Sequence, residues 1–166
     1  EYTYSIDSIT LRGVSEKATS TFNSLGARSD KIPLNKTSKI VAFGGSTTEC
    51  LVLNQKNTWT ELLQTSLNKN NPPTPFWVGN FGKSGNDTNQ HILQTNEILK
   101  KEELKDADIV LYLVGYNDLV RAINIGKKYT EPDMMENKLS AFAVIPDEDL
   151  QLYKRTAIYK FLKHTN

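Results

Sequence analysis

The sequence of 166 residues lacks the features that mark several classes of protein. It has one cysteine, Cys50, so no internal disulfide can form and the fold must rest on its hydrophobic core. No apolar run approaches the roughly 18 residues that a membrane-spanning helix needs. Neither sign of charge predominates, because 20 lysines and arginines face 19 aspartates and glutamates. Without a basic stripe, the charge pattern gives no indication of a nucleic-acid partner.

Metal ligands and nucleotide-binding motifs are missing as well. Only two histidines occur, and no cluster of His, Cys or carboxylate side chains has the spacing of metal ligands. The glycines follow neither the dinucleotide-binding fingerprint nor the phosphate-binding P-loop, and they do not form the G-x-S-x-G elbow. We therefore expect no metal and no cofactor. The chain length and a mean hydropathy of −0.47 are typical of one rather polar globular domain.

What the sequence does contain is three short apolar runs, each followed by a polar turn with glycine. They are Lys39–Phe43, Phe76–Phe81 and Asp108–Gly115. Such runs predict buried strands, and the third, apolar nearly throughout, predicts a central strand covered on both faces. Apolar residues at spacings of three and four predict helices between them, from Thr47 to about Leu67 and from Thr88 to Lys105.

The rest of the chain is less regular. We predict an irregular lead-in with one short strand over residues 1–38, followed by the N-terminal part of a single domain over residues 39–166. A further helix is predicted from Asp147 to His164, whereas residues 118–146 show no clear pattern. The core-facing residues expected of the first two helices are Trp59, Leu62, Leu63 and Leu67, and Ile92, Leu93, Ile98 and Leu99.

Strands that alternate with helices predict a parallel sheet in a layered α/β fold, where ligands bind beyond the carboxyl ends of the strands. All three predicted strands end there in a polar turn: Gly44-Gly45-Ser46, Gly82–Gly85 and Gly115–Asp118. Singly, each turn is explained as well by an ordinary turn, a phosphate loop or an Asx cap. Because three of them meet at one edge of the sheet, together they predict a site.

The residues of these turns suit attack on a carbonyl group. Ser46 lies where a strand meets a helix, so its hydroxyl could act as a nucleophile and its N–H could face the resulting oxyanion. Gly85 could offer a second N–H with no side chain in the way, and the Asn117 amide could be a third donor. We predict that these groups form an oxyanion hole.

The segments FGGSTTE, VGNFGKSGNDT and LVGYND resemble the first three motif blocks of the SGNH (GDSL-like) hydrolases, in the bacterial branch with Gly-Gly-Ser-Thr-Thr. The resemblance covers about residues 20–118. It implies a flavodoxin-like sandwich of helix, parallel sheet and helix, and a serine esterase or deacylase that acts on a small-molecule ester. Ser46 would be the nucleophile that carries the acyl group, with Gly85 and Asn117 in the oxyanion hole. The lead-in resembles that of exported or anchored members, which favours a location outside the cytoplasm.

The last block of that family, Asp-x-x-His, is absent from this sequence. Thr88 stands three residues before His91, and Phe161 three residues before His164. Without the histidine, the serine hydroxyl has no base and is a poor nucleophile. We expect His164 to be only a cation near a helix C-terminus.

Two explanations of the missing block stay open. In the first, the chain is the front part of a longer hydrolase, and a further polypeptide segment or chain completes the sheet and brings Asp and His. In the second, the chain is a non-catalytic relative that serves as a structural or binding subunit. Three predicted strands, where such a sheet needs about five, favour the first. Acyl transfer to a carbohydrate would use the same residues.

Other side chains near the turns have simpler interpretations. We expect His91 to be a polar helix residue at the rim of the site and Cys50 to be a small buried hydrophobe. Glu49 is expected to cap the start of a helix. We expect Tyr116 to shape the substrate pocket and Asp118 to brace its own turn.

Overall fold

The structure, a computed structural model, describes residues 2–7 and 17–125. The predicted helix at residues 147–164 therefore lies outside the described residues, as does His164. A single 3₁₀ turn covers Gln55–Asn57. The other elements are β1 (Tyr2–Asp7), β2 (Lys17–Phe22), β3 (Ser38–Gly44), α1 (Ser46–Glu49), α2 (Trp59–Asn68), β4 (Phe76–Asn80), α3 (Thr88–Ile98), β5 (Ile109–Leu113) and α4 (Tyr116–Ile125).

The three strands predicted from the apolar runs form a parallel sheet in the order β4–β3–β5. Ile40 of β3 is in register with Val78 on one side and with Ile109 on the other. The connections β3 to β4 and β4 to β5 cross the sheet in opposite directions. Because such crossovers are right-handed, α2 and α3 lie on opposite faces. The predicted α/β fold, with helices on both faces of a parallel sheet, is confirmed.

The hydrophobic core is centred on β3. Phe43 has no exposed surface, and its ring centroid lies 5.7 Å from that of Phe81 and 5.6 Å from that of Tyr112. Burial of a side chain of this size stabilises the fold by roughly 1.5–3 kcal/mol. The packing of Phe43 therefore fixes the end of β3, from which the next turn begins. The buried cluster comprises Ala27, Val41, Phe43, Trp77, Phe81, Ile98 and Leu104.

The prediction that the third strand is central and fully covered is wrong for the described residues. β5 lies at the edge of the described sheet, and Ile109, Tyr112 and Leu113 are 46, 52 and 51% exposed. An apolar run predicts a strand, but it does not show whether that strand lies at the centre or at the edge of the sheet. The outer edge of β5 therefore presents apolar surface.

The first predicted helix is in fact two helices. α1 ends after one turn at Cys50, whose φ of 54° is left-handed and ends the helix. α2 begins after Thr58, whose Oγ1 accepts the N–H of Glu61 at 3.3 Å as an N-cap. Leu62 was expected to face the core, but it is 55% exposed. Trp59, Leu63 and Leu67 are half-buried, and the one fully buried residue of α2 is Thr60, so the face that α2 turns to the sheet differs from the predicted stripe.

The second predicted helix, α3, buries only part of the expected face: Ile98 is buried in the core, and Leu99 packs against it. Ile92 is 54% exposed, while the buried face is mostly polar. Asp87 and Gln90 form a capping box, and Gln94 Nε2 donates to the carbonyl of Phe81 at 2.8 Å. Local hydrogen bonds of this kind offset the cost of burying polar groups, which apolar periodicity does not reveal. The buried residues of α3 are Gln90, His91, Gln94 and Ile98.

The lead-in contains two strands rather than one, because β1 pairs antiparallel with β2. The turn after β2 then packs against the core, where Ala27 is fully buried. Asn23 Oδ1 holds this turn by accepting the N–H groups of Leu25 and Ala27. None of the described helices is long and apolar enough to cross a membrane.

Candidate active site

The turns that follow β3, β4 and β5 lie together at the carboxyl edge of the sheet. The carbonyl of Gly44 accepts the N–H of Lys83 at 2.8 Å, which joins the first turn to the second. Asn117 Nδ2 donates to the carbonyl of Asn86 at 2.7 Å, which joins the third turn to the second. The structure therefore brings together the three turns that carry the predicted site residues.

Ser46 begins α1 directly after β3 and is half-buried. In the part of the chain that the structure describes, neither its hydroxyl nor its N–H has a hydrogen-bond partner. The N–H is unpaired because the first N–H groups of a helix have no carbonyl one turn before them. A hydroxyl and an N–H that are both unpaired on one residue suit a nucleophile whose attack creates an oxyanion.

Asn117 reaches the Ser46 turn because residue 45 is a glycine. A Cβ at Gly45 would lie only 2.9 Å from Nδ2 of Asn117. Nδ2 carries two protons, and one of them is donated to Asn86. The second proton is left for a ligand beside Gly45.

Gly85 occupies the second turn with a φ of 84°, in the left-handed region that favours glycine. Its N–H has no hydrogen-bond partner among residues 17–125. The peptide groups on both sides of it are held. The N–H of Ser84 donates to Glu49 Oε2 at 2.6 Å, and the carbonyl of Gly85 accepts from Arg121 Nη2 at 3.0 Å.

Glu49 does not cap the start of a helix, so that expectation is wrong. Its side chain is buried, with the residue 3% exposed, and its carboxylate accepts the N–H of Ser84. Its own carbonyl accepts from Arg28 Nη1 at 2.6 Å. Its carboxylate therefore holds the second turn rather than the start of a helix.

Two side chains of α4 bind the start of α3. Asp118 accepts the N–H of Thr88 with both carboxylate oxygens, at 3.0 and 3.2 Å, so among the described residues it braces the start of α3 rather than its own turn. Arg121 forms an ion pair with Asp87, which is fully buried. Sequence reasoning missed Arg121, although it lies four residues after Asn117 and hence on the same side of a helix.

His91 is buried, at 2% exposure, rather than placed at the rim as expected. Burial lowers the pKa of its imidazole, and contacts with Gln94 and the carboxylates of Asp118 and Asp87 act in the opposite direction. No hydrogen bond joins His91 to Ser46 in the described part of the chain. His91 therefore does not stand as a base for the serine.

Cys50 adjoins the first turn, where its N–H donates to the carbonyl of Ser46 at 2.9 Å, and Tyr116 lies in the third turn. Cys50 is half-buried, and its Sγ donates to the carbonyl of Thr47 at 3.0 Å. Burial raises the pKa of this thiol, which keeps it protonated and a weak nucleophile. Tyr116 is 51% exposed at the start of α4, where its ring is open to solvent.

A cavity of about 460 Å³ lies elsewhere on the described surface, and none of the residues of the three turns lines it. Burial and the nearby Asp30 raise the pKa of Glu61 in this cavity. Its two carboxylates would repel an oxyanion, so we place the candidate active site at the turns. Among the described residues no group of three or more His, Cys, Asp or Glu could hold a metal ion. The residues that line the cavity of about 460 Å³ are Thr19, Asp30, Asn54, Gln55, Lys56 and Glu61.

Comparison with known proteins gives similarity only at the level of solved structures. The sequence matches no family model, and a search of curated proteins found no relative. AlinE4, described as an SGNH-hydrolase family esterase, is 22% identical with a TM-score of 0.44, over 54% of this chain and 46% of its own. Two variants of that esterase are 20 and 21% identical, with TM-scores of 0.45 and 0.43, over 74% of this chain and 57% of theirs. The chain thus spans about half the length of these structures, and we argue its function from its own residues.

Proposed function

We propose that this chain carries the nucleophile and oxyanion hole of a serine ester hydrolase of SGNH type. The observation that carries the proposal is the convergence of three turns with unpaired hydrogen-bond donors. Within residues 2–7 and 17–125, the Ser46 hydroxyl and the N–H groups of Ser46 and Gly85 have no hydrogen-bond partner, and Asn117 retains one amide proton. Motifs that resemble the first three blocks of the family support the same interpretation.

In the proposed reaction, Ser46 Oγ attacks the carbonyl carbon of an ester. The carbonyl oxygen becomes an oxyanion, which accepts hydrogen bonds from the N–H groups of Ser46 and Gly85 and from Asn117. Collapse expels the alcohol, which takes up a proton, and leaves an acyl-Ser46 intermediate. Water then releases the acid and restores the hydroxyl. Each oxyanion donor in such a site is worth about 2.7–4 kcal/mol of transition-state stabilisation.

The proton of Ser46 needs an acceptor, which we propose comes from further polypeptide. Residues 39–166 would then be the N-terminal part of one domain. Within the described residues the outer edge of β5 has no paired strand, and an exposed apolar surface runs from β5 into α4. Proteins usually cover such edges and patches. The exposed apolar surface consists of Ile109, Tyr112, Leu113, Val114, Tyr116, Leu119 and Ile123.

A structural or binding subunit of the same fold is the second candidate. It is favoured by one observation, which is that no base faces Ser46 in the part of the chain described. In such a subunit the three turns would hold a ligand oxygen without any covalent step. An acyltransferase would differ from the hydrolase only in the acceptor that takes the acyl group from Ser46.

Active-site labelling of the full-length protein tests the proposal. A fluorophosphonate should modify Ser46, and Ser46→Ala should abolish both the labelling and hydrolysis of p-nitrophenyl esters. Thr47→Ala is the matched control, because it removes an exposed hydroxyl from the next position. Absence of labelling in a protein shown to contain the Asp and His would contradict the enzymatic role. Product analysis with a sugar acceptor separates transfer from hydrolysis.

A further inference from the structure

The Gly85 N–H belongs to the peptide group between Ser84 and Gly85. Gly85 is exposed, and a glycine peptide in an exposed turn has wide conformational freedom. If that peptide turned over, its carbonyl oxygen would replace the N–H and would repel an oxyanion. An effective donor must be held within about 0.5 Å of its productive position. Something other than Gly85 itself must therefore hold this peptide.

The peptide group before it is held by Glu49. The Ser84 N–H donates to Oε2 of this buried carboxylate at 2.6 Å, and hydrogen bonds to an ionised acceptor are among the strong ones. Glu49 is itself fixed, since its N–H donates to Gly45 at 3.0 Å and its carbonyl accepts from Arg28 at 2.6 Å. The carboxylate thus ties the Gly85 turn to α1, the helix that begins with the nucleophile.

The peptide group after it is held by Arg121. Its Nη2 donates to the carbonyl of Gly85 at 3.0 Å, and its Nη1 pairs with the buried Asp87. Arg121 lies four residues after Asn117 on α4, so this contact ties the Gly85 turn to the helix that carries the third donor.

We propose that Glu49 and Arg121 are positioning residues, which clamp the peptide groups on either side of Gly85 and so aim its N–H at the oxyanion. This inference rests on the proposed function. The clamp joins the Gly85 turn to both other parts of the site, α1 with Ser46 and α4 with Asn117. Neither side chain needs to touch the substrate.

Kinetics of four variants of the full-length protein test the clamp. Glu49→Ala and Arg121→Ala should each lower kcat by about 100-fold, the loss expected when one oxyanion donor is removed, with KM little changed. Glu49→Gln keeps an acceptor for the Ser84 N–H and should recover most of kcat. Arg121→Lys keeps a donor for only one of its two partners and should recover less. Glu61→Ala, a carboxylate removed from α2, is the matched control.

Amide NMR provides a readout that a merely structural role would not move. In both alanine variants the Gly85 amide resonance should shift or broaden, while those of residues in β3 stay in place. Equal loss of kcat in the Glu61 control, a rise in KM alone, or an unchanged Gly85 resonance would overturn the clamp. If either alanine variant does not fold, Arg121→Lys provides the test, because it keeps a cation beside the buried Asp87 and should still lower kcat and shift the Gly85 resonance. If the wild-type protein lacks Ser46-dependent activity, the proposed function is refuted. The clamp is then tested by NMR alone, through the shift of the Gly85 amide resonance in the two alanine variants.

Discussion

Replacement of Arg28 gives the largest change in stability that we expect from a single side chain in this structure. Arg28 follows the turn after β2 and is 1% exposed. Its guanidinium donates to three backbone carbonyl oxygens, those of Glu49 at 2.6 Å, Cys50 at 2.5 Å and Leu53 at 2.5 Å, and to the side-chain oxygen Oε1 of Gln55 at 3.2 Å. Arg28→Met keeps much of the aliphatic stem but leaves all three carbonyls without this donor.

The magnitude follows from the number of hydrogen bonds lost. A hydrogen bond to a charged group contributes about 1.5–3 kcal/mol, so the four would total roughly 6–12 kcal/mol if they were independent. They share one guanidinium, and removal of the charge also relieves its desolvation cost. We therefore expect Arg28→Met to lower the free energy of unfolding by about 3–5 kcal/mol, a large part of the 5–15 kcal/mol typical of a domain. Arg28→Lys should cost about 1–3 kcal/mol, because an ammonium cannot span all three carbonyls.

Urea unfolding followed by far-UV circular dichroism measures these differences. Comparison at equal m values ensures that the variants lose the same amount of structure. Lys36→Met is the matched control, since it removes a positive charge from an exposed position and should change stability by no more than about 0.5 kcal/mol. The reasoning fails if Arg28→Met is no more destabilising than this control, or if lysine serves as well as arginine.

Two further predictions concern the site. Gly45→Ala places a Cβ 2.9 Å from Asn117 Nδ2, so it should displace the amide and cost activity about as much as Asn117→Ala, roughly 2.7–4 kcal/mol. The two losses should not add in a double-mutant cycle, and additive losses would contradict this contact. Burial lowers the pKa of His91, so the unfolded state binds its proton first and stability should fall as the pH drops below about 6.5. His91→Gln should flatten the pH dependence of urea unfolding between about pH 7 and the lower folded pKa, and an unchanged slope would refute the assignment.

The three strands and the meeting of their turns could be predicted from sequence because local signals were strong there, whereas the position of β5 at the edge of the described sheet could not. Short apolar runs that end in glycine predicted β3, β4 and β5, and the handedness of crossovers leaves few ways to join them. Once the strands are parallel, their carboxyl ends must share one edge. The neighbourhood of Ser46, Gly85 and Asn117 follows from that rule alone.

The contacts that hold the turns in place could not be predicted, because they join side chains to backbone far along the chain. Glu49 and Ser84 are 35 residues apart, and Arg121 and Gly85 are 36 apart. No periodicity links such pairs. The polar buried face of α3 was missed for a related reason, since a glutamine that bonds a distant carbonyl looks like a surface residue in sequence.

The hydrogen bonds that join the three turns lie within residues 44–121, and among the described residues none of them involves the Ser46 hydroxyl. The proposed oxyanion hole and the proposed base are therefore separable parts of the machinery. An oxyanion hole works by holding donors in place before the reaction, and a base works by its pKa, so the two need not come from the same segment. A boronic acid, which forms a tetrahedral anion on the serine hydroxyl, would then depend on Gly85 and Asn117 even in a variant whose base has been removed. Ester hydrolysis by that variant would be lost.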